Sequence, residues 1–343
     1  MTDNEINILF ATRRLIETSV QLFPTSGFLQ KSFFAEVIED DVEKVDVVLK
    51  KGSNTLAPFV SPYLSGKLVK NLKKETYTFK PAYIKQKFVT EALDVLTTTN
   101  TPIYVEQQSP LDRVTKVITD EISEHTSNIE RRVEWMAAQT LQTGKCRVKG
   151  DGVDEEIDYL FDTTQIVTLS GSNLFTDPLS SPFTTFSNIR KERVTAGGKA
   201  PNRIVLGAEL YSVWLNHQET KDMFNQRRID RGSLKPEQLE EGVIYVGYMS
   251  EIKTDIYVYD ETYTDDAGAT QFLLNPKGFI YGSTKAEGKV VYGCIKDLKA
   301  LYATKVFIKS WEEEDPSVRW VLMQSAPLTI PTYKDSFAFA LAM

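Results

Sequence analysis

Apolar and semi-apolar residues recur in three- and four-residue steps at Leu111, Val114, Ile118, Ile122, His125, Ile129, Val133, Met136 and Thr140. That is the period of a helix burying one face. Ser109 is placed as its N-cap, Pro110 fits the first helical position and Asp112 suits the N-terminal dipole. Gly144 followed by Lys145 supplies the stop. About 34 residues at 1.5 Å each give a helix on the order of 50 Å long. No partner heptads occur elsewhere, so the spacing predicts a single spine helix rather than a coiled coil.

Other periodicities are shorter. Ile6, Leu9, Phe10, Arg13 and Ile16 fit a short amphipathic helix, which Pro24 and Gly27 break before an aromatic-rich extended piece. Glu36–Val48 holds six carboxylates, with strand-like alternation at Val45 and Val47. From Asp46 to Thr90, prolines at 58, 62 and 81 separate short β-rich pieces such as "TYTF". This stretch reads as a long irregular β-ribbon, reaching roughly 70 Å if half its residues run outward. A lone two-stranded ribbon is marginal in water, so another subunit is expected to complete its burial.

Beyond the spine, "CRVKGDGVDEEIDY" (Cys146–Tyr159) predicts a hairpin turning at Gly150-Asp151-Gly152. Residues 160–190 read as loop-rich, with Pro178 and Pro182. "RIVLG" (Arg203–Gly207), "VIYVG" (Val243–Gly247) and "TDIYVYD" (Thr254–Asp260) predict buried strands, and Ala208–Arg228 a helix. "TDDAGA" (Thr264–Ala269) marks a turn before "QFLLN". Near the end, "ATKVFIKSW" and "VRWVLMQSAPL" flank the polar turn "EEEDPS" and predict a long hairpin. Pro327 and Pro331 are expected to end its ladder, since proline cannot donate to a sheet. The pattern as a whole is α+β, without repeats.

Composition narrows the function. The chain has 343 residues, 41% of them hydrophobic, enough for a substantial core. Its net charge of −7 argues against a free sequence-specific nucleic-acid binder but not against a protein that encloses nucleic acid. The N-terminus lacks the apolar core of a secretory leader, and no window approaches a membrane span. Cys146 and Cys294, the two cysteines, are expected to be free buried thiols. With only His125 and His217, most histidine catalysis and zinc chemistry drop out.

The remaining chemical candidates are weak. Ser325 lacks the flanking glycines of a nucleophile elbow and reads as a strand-end polar residue. His125 lies on the apolar helix face without a second ligand at helical spacing. His217 reads as a mid-helix surface residue. "DGVDEE" and "DETYTDDAG" lack the alternating ligand order of a calcium loop. "TAGGKAP" (Thr195–Pro201) lacks phosphate-loop spacing and reads as a flexible surface loop. No catalytic residue, cofactor or metal site is expected.

Between Lys67 and Phe88 stand seven lysines and one glutamate. Lys67, Lys70, Lys73, Lys74, Lys85 and Lys87 are taken as candidate subunit contacts, facing carboxylates such as Glu39, Asp40 and Asp41 of a neighbouring copy. Such a contact is head-to-tail, the kind that generates rings and lattices. A solvated face ranks second and direct DNA contact third.

Six stretches, in this order, are similar to lambda-type tailed-bacteriophage major capsid proteins, the capsid protein E family. They are "EKVDVV" (Glu43–Val48), "LAPFVSPYLSG" (Leu56–Gly66), "FKPAYIKQK" (Phe79–Lys87), "RRVEWMAAQTLQTGKCRVKGDG" (Arg131–Gly152), "YGCIKD" (Tyr292–Asp297) and "MQSAPL" (Met323–Leu328). Residues 160–290 carry little of the resemblance. It implies a Hong Kong 97-type shell fold, with an N-terminal arm (1–45) and an E-loop (46–95). It also implies a peripheral P domain (96–175 and 298–328) and an axial A domain (176–297 and 329–343).

The implied function is a head subunit of a phage or prophage, forming hexamers and pentamers of an icosahedral shell around double-stranded DNA. Implied partners are a separate scaffolding protein or protease, a portal protein and a decoration protein. The implied location is the virion capsid, with assembly in the host cytoplasm. No lysine–asparagine cross-linking pair matches. The rival readings are the shell of a cargo-enclosing bacterial nanocompartment, which uses the same fold, and an enzyme of unknown type.

Overall fold

The computed structural model describes residues 27–52, 56–68, 74–91, 110–225, 232–240, 242–313 and 318–343. The expected helix at residues 6–16, the N-cap Ser109, and Lys70 and Lys73 lie outside the described residues. The chain opens with helix α1 (Phe28–Phe33) and strands β1 (Glu36–Glu39), β2 (Val45–Lys50), β3 (Lys74–Phe79) and β4 (Ile84–Glu91). The spine α2 (Pro110–Thr143) leads into the hairpin β5 (Lys145–Gly150) and β6 (Val153–Asp158). Then come β7 (Ile166–Thr168), α3 (Pro182–Thr195), β8 (Arg203–Gly207), α4 (Ala208–Asn216) and α5 (Gln218–Asn225). Strands β9 (Gly232–Glu240), β10 (Val243–Met249), β11 (Thr254–Tyr259), β12 (Thr262–Thr264) and β13 (Thr270–Phe272) follow. The chain ends with β14 (Gly278–Gly282), β15 (Lys289–Tyr292), β16 (Phe307–Glu313), β17 (Val318–Ser325), β18 (Pro327–Ile330) and β19 (Ala338–Leu341).

The spine matches its periodicity. Ile118, Ile122, Ile129, Val133, Met136 and Thr140 are all buried, and Ile118, Ile122 and Ile129 pack on Val306, Ile308, Val321 and Met323. His125 is half-buried and stacks on Phe88, ring centroids 4.2 Å apart. Gly144 ends the helix at φ +67, where a side chain would also strike Phe161. Glycine meets both demands because it lacks a Cβ.

A seven-stranded mixed sheet runs β7-β19-β14-β8-β11-β10-β9. Alternate residues of its strands feed two cores. Val205, Tyr257, Ile280 and Phe339 face α1 and the C-terminal part of α2. Ile204, Leu206, Ile256, Val258, Phe279 and Tyr281 face α3 and α4. Strands covered on both faces read as unbroken apolar runs, which is why "RIVLG" and "IYVY" show no polar alternation.

The run "RWVLMQSAPL" lies in two sheets. β17 pairs with both β16 and β4, whereas β18 pairs with β15, itself parallel to β1. The hairpin is as expected and its ladder ends at Ser325, just before Pro327, which then opens β18 in the second sheet. A first-strand position tolerates the missing N–H. At the switch, Ser325 is buried and its hydroxyl donates to the Lys305 carbonyl at 2.6 Å.

Other expectations need correction. Phe28–Phe33, expected to be extended, is helical. The ribbon narrows to β2 paired with β3, and β4 leaves it for β17. The stretch 160–190, read as loop-rich, holds the start of α3, which runs from Pro182 to Thr195 with Pro182 at the first position and Ser181 capping Thr184 N–H. The helix expected over 208–228 breaks at His217, whose ψ of 138 is extended. His217 is buried, not a surface residue. The 195–201 loop is packed: Lys199 N–H donates to Ser336 Oγ at 2.8 Å. Cys146 is buried, but Cys294 is only partly so, and both are free.

Helix α1 lacks a cap of its own, and the spine provides one. The fully buried Glu134 carboxylate accepts from the backbone N–H of Leu29 (2.6 Å) and Gln30 (3.0 Å) and from the Tyr259 hydroxyl (2.9 Å). A Cβ on Gly27 would sit 2.3 Å from the Glu134 carboxyl carbon, so this approach requires glycine. Burial pushes the Glu134 carboxyl up to about 7, against the pull of these donors. Burial also pushes Glu130 up to about 7.

Two predictions follow from these buried groups. Glu134 binds its proton more tightly folded than unfolded. Its stabilising contribution is therefore complete below about pH 4.5 and is lost as pH rises through about 7. The thermal midpoint of the wild-type chain will fall more steeply across that window than that of Glu134→Gln. Ser325→Ala, which strands the Lys305 carbonyl, will cost about 1–2 kcal/mol in denaturant unfolding.

Candidate subunit-contact surfaces

Between β2 and β3 the described chain from Leu56 to Leu68 carries Phe59 at 106% and Tyr63 at 96% exposure, with Leu56, Leu64 and Leu68 also bare. A turn at Ser61, closed by Leu64 N–H to the Ser61 carbonyl at 3.0 Å, presents Tyr63 and Leu64 outward. An exposed apolar patch at the end of a two-stranded ribbon marks an interaction surface. The sequence reading had the ribbon but not this apolar tip.

The candidate charges separate into two groups. Lys67 is exposed beside the tip, and Lys74 begins β3 opposite Lys50. Lys85 and Lys87 are exposed on β4. The Lys87 ammonium lies 3.5 Å from the Trp320 ring centroid and 5.3 Å from that of Trp311, the cross-strand partner of Trp320. Cation–π attraction therefore holds it within the subunit.

The acidic run is tied to its own body. Glu39 accepts from Lys305 N–H at 3.2 Å, Asp41 accepts from Ala303 N–H, and Glu43 pairs with the Lys296 ammonium at 2.5 Å. Asp40 is half-buried and donates its backbone N–H to the Tyr292 carbonyl at 2.9 Å. The parallel pairing of β1 with β15 brings these residues to segment 294–305, some 260 positions away in the chain. No local sequence signal could have shown that pairing.

The sequence reading also missed a second apolar protrusion, Leu298 (93% exposed) and Leu301. Asp297 staples its base: the carboxylate accepts from Lys299 N–H at 2.9 Å and pairs with Lys309 at 3.1 Å. These contacts, the Lys299 N–H first, hold the Asp297 carboxyl below its usual range.

Catalytic geometry does not emerge at the serine–histidine contact the fold creates. Ser180 Oγ is 3.2 Å from His217 Nε2, but His217 Nδ1 accepts from Glu219 N–H at 3.2 Å. The ring thus has a backbone partner where a triad places a carboxylate. Both residues are buried, and they pin the 177–180 turn to the α4–α5 junction. Among the described residues, no three His, Cys, Asp or Glu side chains gather into a metal site. No described helix is long and apolar enough to cross a membrane.

Known proteins resemble this chain over nearly its whole length. The family model for phage major capsid protein E matches residues 11–340. The major capsid protein of Escherichia phage lambda is 25% identical over 339 residues, covering 96% of this chain and 98% of that protein. A P21 prophage-derived major head protein of Escherichia coli O6:H1 is 23% identical over 337 residues, with the same coverage. Among solved structures, a prophage capsid protein of E. coli CFT073 superposes with TM-score 0.75 at 20% identity, over 97% of this chain and 99% of the other. A phage-related protein of Bordetella bronchiseptica RB50 gives TM-score 0.51 at 10% identity, over 95% of each chain. The fold is thus the Hong Kong 97-type shell fold that the resemblance implied. With its described surfaces and its match across residues 11–340, the chain belongs to the phage major capsid protein E family.

Proposed function

We propose that this chain is the head subunit of a tailed phage or prophage, assembling as hexamers and pentamers into an icosahedral shell around double-stranded DNA. The observation that carries this reading is the bare apolar tip at 56–68, on a ribbon too narrow to be stable alone. Family membership supplies the kind of assembly in which a neighbouring copy covers such a tip. The ribbon lysines add charge attraction between copies. Lys67 and Lys85, which pair with no carboxylate among the described residues, are better placed for this than Lys87. Glu39 and Asp41, held by backbone donors of their own subunit, shape the arm root before they reach a neighbour.

The net charge of −7 fits a container for DNA, because a strongly basic lining would grip the phosphate backbone and resist packing. A separate scaffolding protein or protease, a portal protein and a decoration protein belong to the same proposal, as does assembly in the host cytoplasm. The division into arm (1–45), E-loop (46–95), P domain (96–175, 298–328) and A domain (176–297, 329–343) is likewise proposed.

Electron microscopy and sedimentation of the purified chain, with and without scaffold, will show shells, tubes or capsomer rings. A strictly monomeric chain under all conditions overturns the reading. Particles from infected or induced cells will hold nuclease-resistant DNA; particles holding only a cargo protein would mark a nanocompartment. Phe59→Asp with Tyr63→Asp will leave the unassembled chain within about 0.5 kcal/mol of wild type, since both side chains are exposed. The same pair will abolish or strongly reduce shell formation.

A further inference from the structure

A groove of about 690 Å3 runs between β4, the spine and the β12–β13 hairpin. One wall is the start of β4 (Ile84, Lys85, Gln86), whose outer edge pairs with no described strand in the β16-β17-β4 sheet. The floor is one stripe of the spine: Asn128, Arg131, Arg132 and Trp135, at helical spacing. The far wall is the β12–β13 hairpin, through Thr262, Tyr263, Thr264 and Thr270. Among the described residues, three cations line it and no carboxylate does.

Those cations are poorly satisfied within the subunit. Among the described residues, Arg131 reaches only the Asn128 amide oxygen, at 3.4 Å. Arg132 lies over the Trp135 ring and comes no nearer than 4.0 Å to Asp266, which is itself 93% exposed. Lys85 has no ion pair among the described residues. Two polar atoms of lining residues are screened from solvent and have no hydrogen-bond partner among the described residues: the Trp135 indole Nε1, a donor, and the Gln86 amide oxygen, an acceptor. Screened polar atoms left unpaired are costly and call for a partner.

The β4 edge and the cations together discriminate between ligand classes. A phosphate backbone answers the cations, but it cannot extend a strand edge. An extended polypeptide offers N–H and C=O together, and its carboxylate side chains answer Lys85, Arg131 and Arg132. The polar lining does not suit the apolar 56–68 tip, so a different segment is its occupant; Lys85, proposed above as a cation that attracts a neighbouring copy, is one of the three that line the groove. The surplus of 47 acidic over 40 basic residues makes another copy of this chain the complementary partner within the assembly. We infer that this groove is a docking site for an extended, carboxylate-bearing segment of a second copy of this chain.

The inference rests on the shell reading, and one experiment tests them separately. A photo-cross-linkable residue replaces Asn128 in the full chain, isotopically light and heavy chains are mixed, and assembled shells are irradiated and mapped by mass spectrometry. Mixed light–heavy adducts joining position 128 to a carboxylate-rich segment are expected. Arg131→Glu with Arg132→Glu will lower shell yield at least roughly tenfold, by setting like charges against each other. The unassembled double variant will keep the wild-type circular dichroism spectrum. Shells that give only intrachain adducts, adducts to residues 56–68, or adducts to nucleic acid or another protein overturn this inference alone. So does a wild-type yield of shells from the double variant. Failure of the unsubstituted chain to form any shell overturns both readings.

Discussion

Burial of a single stripe on the spine helix holds the subunit together. Ile118, Ile122 and Ile129 close the core under the β16-β17-β4 sheet, and Met136 enters the core beneath β2 and the β5–β6 hairpin. Val133, Ala137 and Leu141 pack against one face of the seven-stranded sheet. Strand β15 joins two of these three cores, with Val290 and Tyr292 in one and Val291 in the other, but only the spine enters all three. A helix on the order of 50 Å long can join them because its hydrogen bonds are internal and its side chains are free to face several layers in turn. The Glu134 carboxylate, on the same helix, then fixes the root of the N-terminal arm by capping α1. Arm, sheets and ribbon thus share one rigid reference.

That rigidity gives the exposed features their meaning. Apolar residues at 56–68 and at Leu298 and Leu301 lie bare although the cores are well filled. A subunit able to bury its spine, both faces of its main sheet and the strand run 318–330 is not short of places for apolar residues. Apart from Leu179, the barest of those left outside gather on a ribbon and a stapled loop, which is the distribution expected when another copy completes the burial. The polar groove beside the spine is the charged counterpart, where orphaned donor, acceptor and cations are left rather than bare carbon.

Much of this was legible in the chain. The stripe from Ile118 to Thr140 specified the spine, and Gly144 its end, because a local period and a local stop signal need no tertiary knowledge. The β5–β6 hairpin, the strands β8, β10 and β11 and the terminal hairpin were readable for the same reason. α3 was missed because Pro178 and Pro182 looked like loop punctuation, although Pro182 with Ser181 is also a helix start. The break at His217 was missed because composition stays helical across it. Its extended backbone follows from hydrogen bonds to Ser180 and Asp177, some forty residues earlier.

The surfaces divide along the same line. Sequence alone determined that the chain is α+β, that it has a basic ribbon and an acidic run, and that histidine and cysteine chemistry is scarce. Composition and spacing are properties of neighbours in the chain. Only the tertiary structure decided that Glu39, Asp41 and Glu43 are tied to segment 294–305, that Ser325 supports a carbonyl, and that Trp135 Nε1 and the Gln86 amide oxygen lack partners among the described residues. Whether a polar group is satisfied depends on which distant residues the fold brings within about 3 Å of it, and no local pattern carries that information.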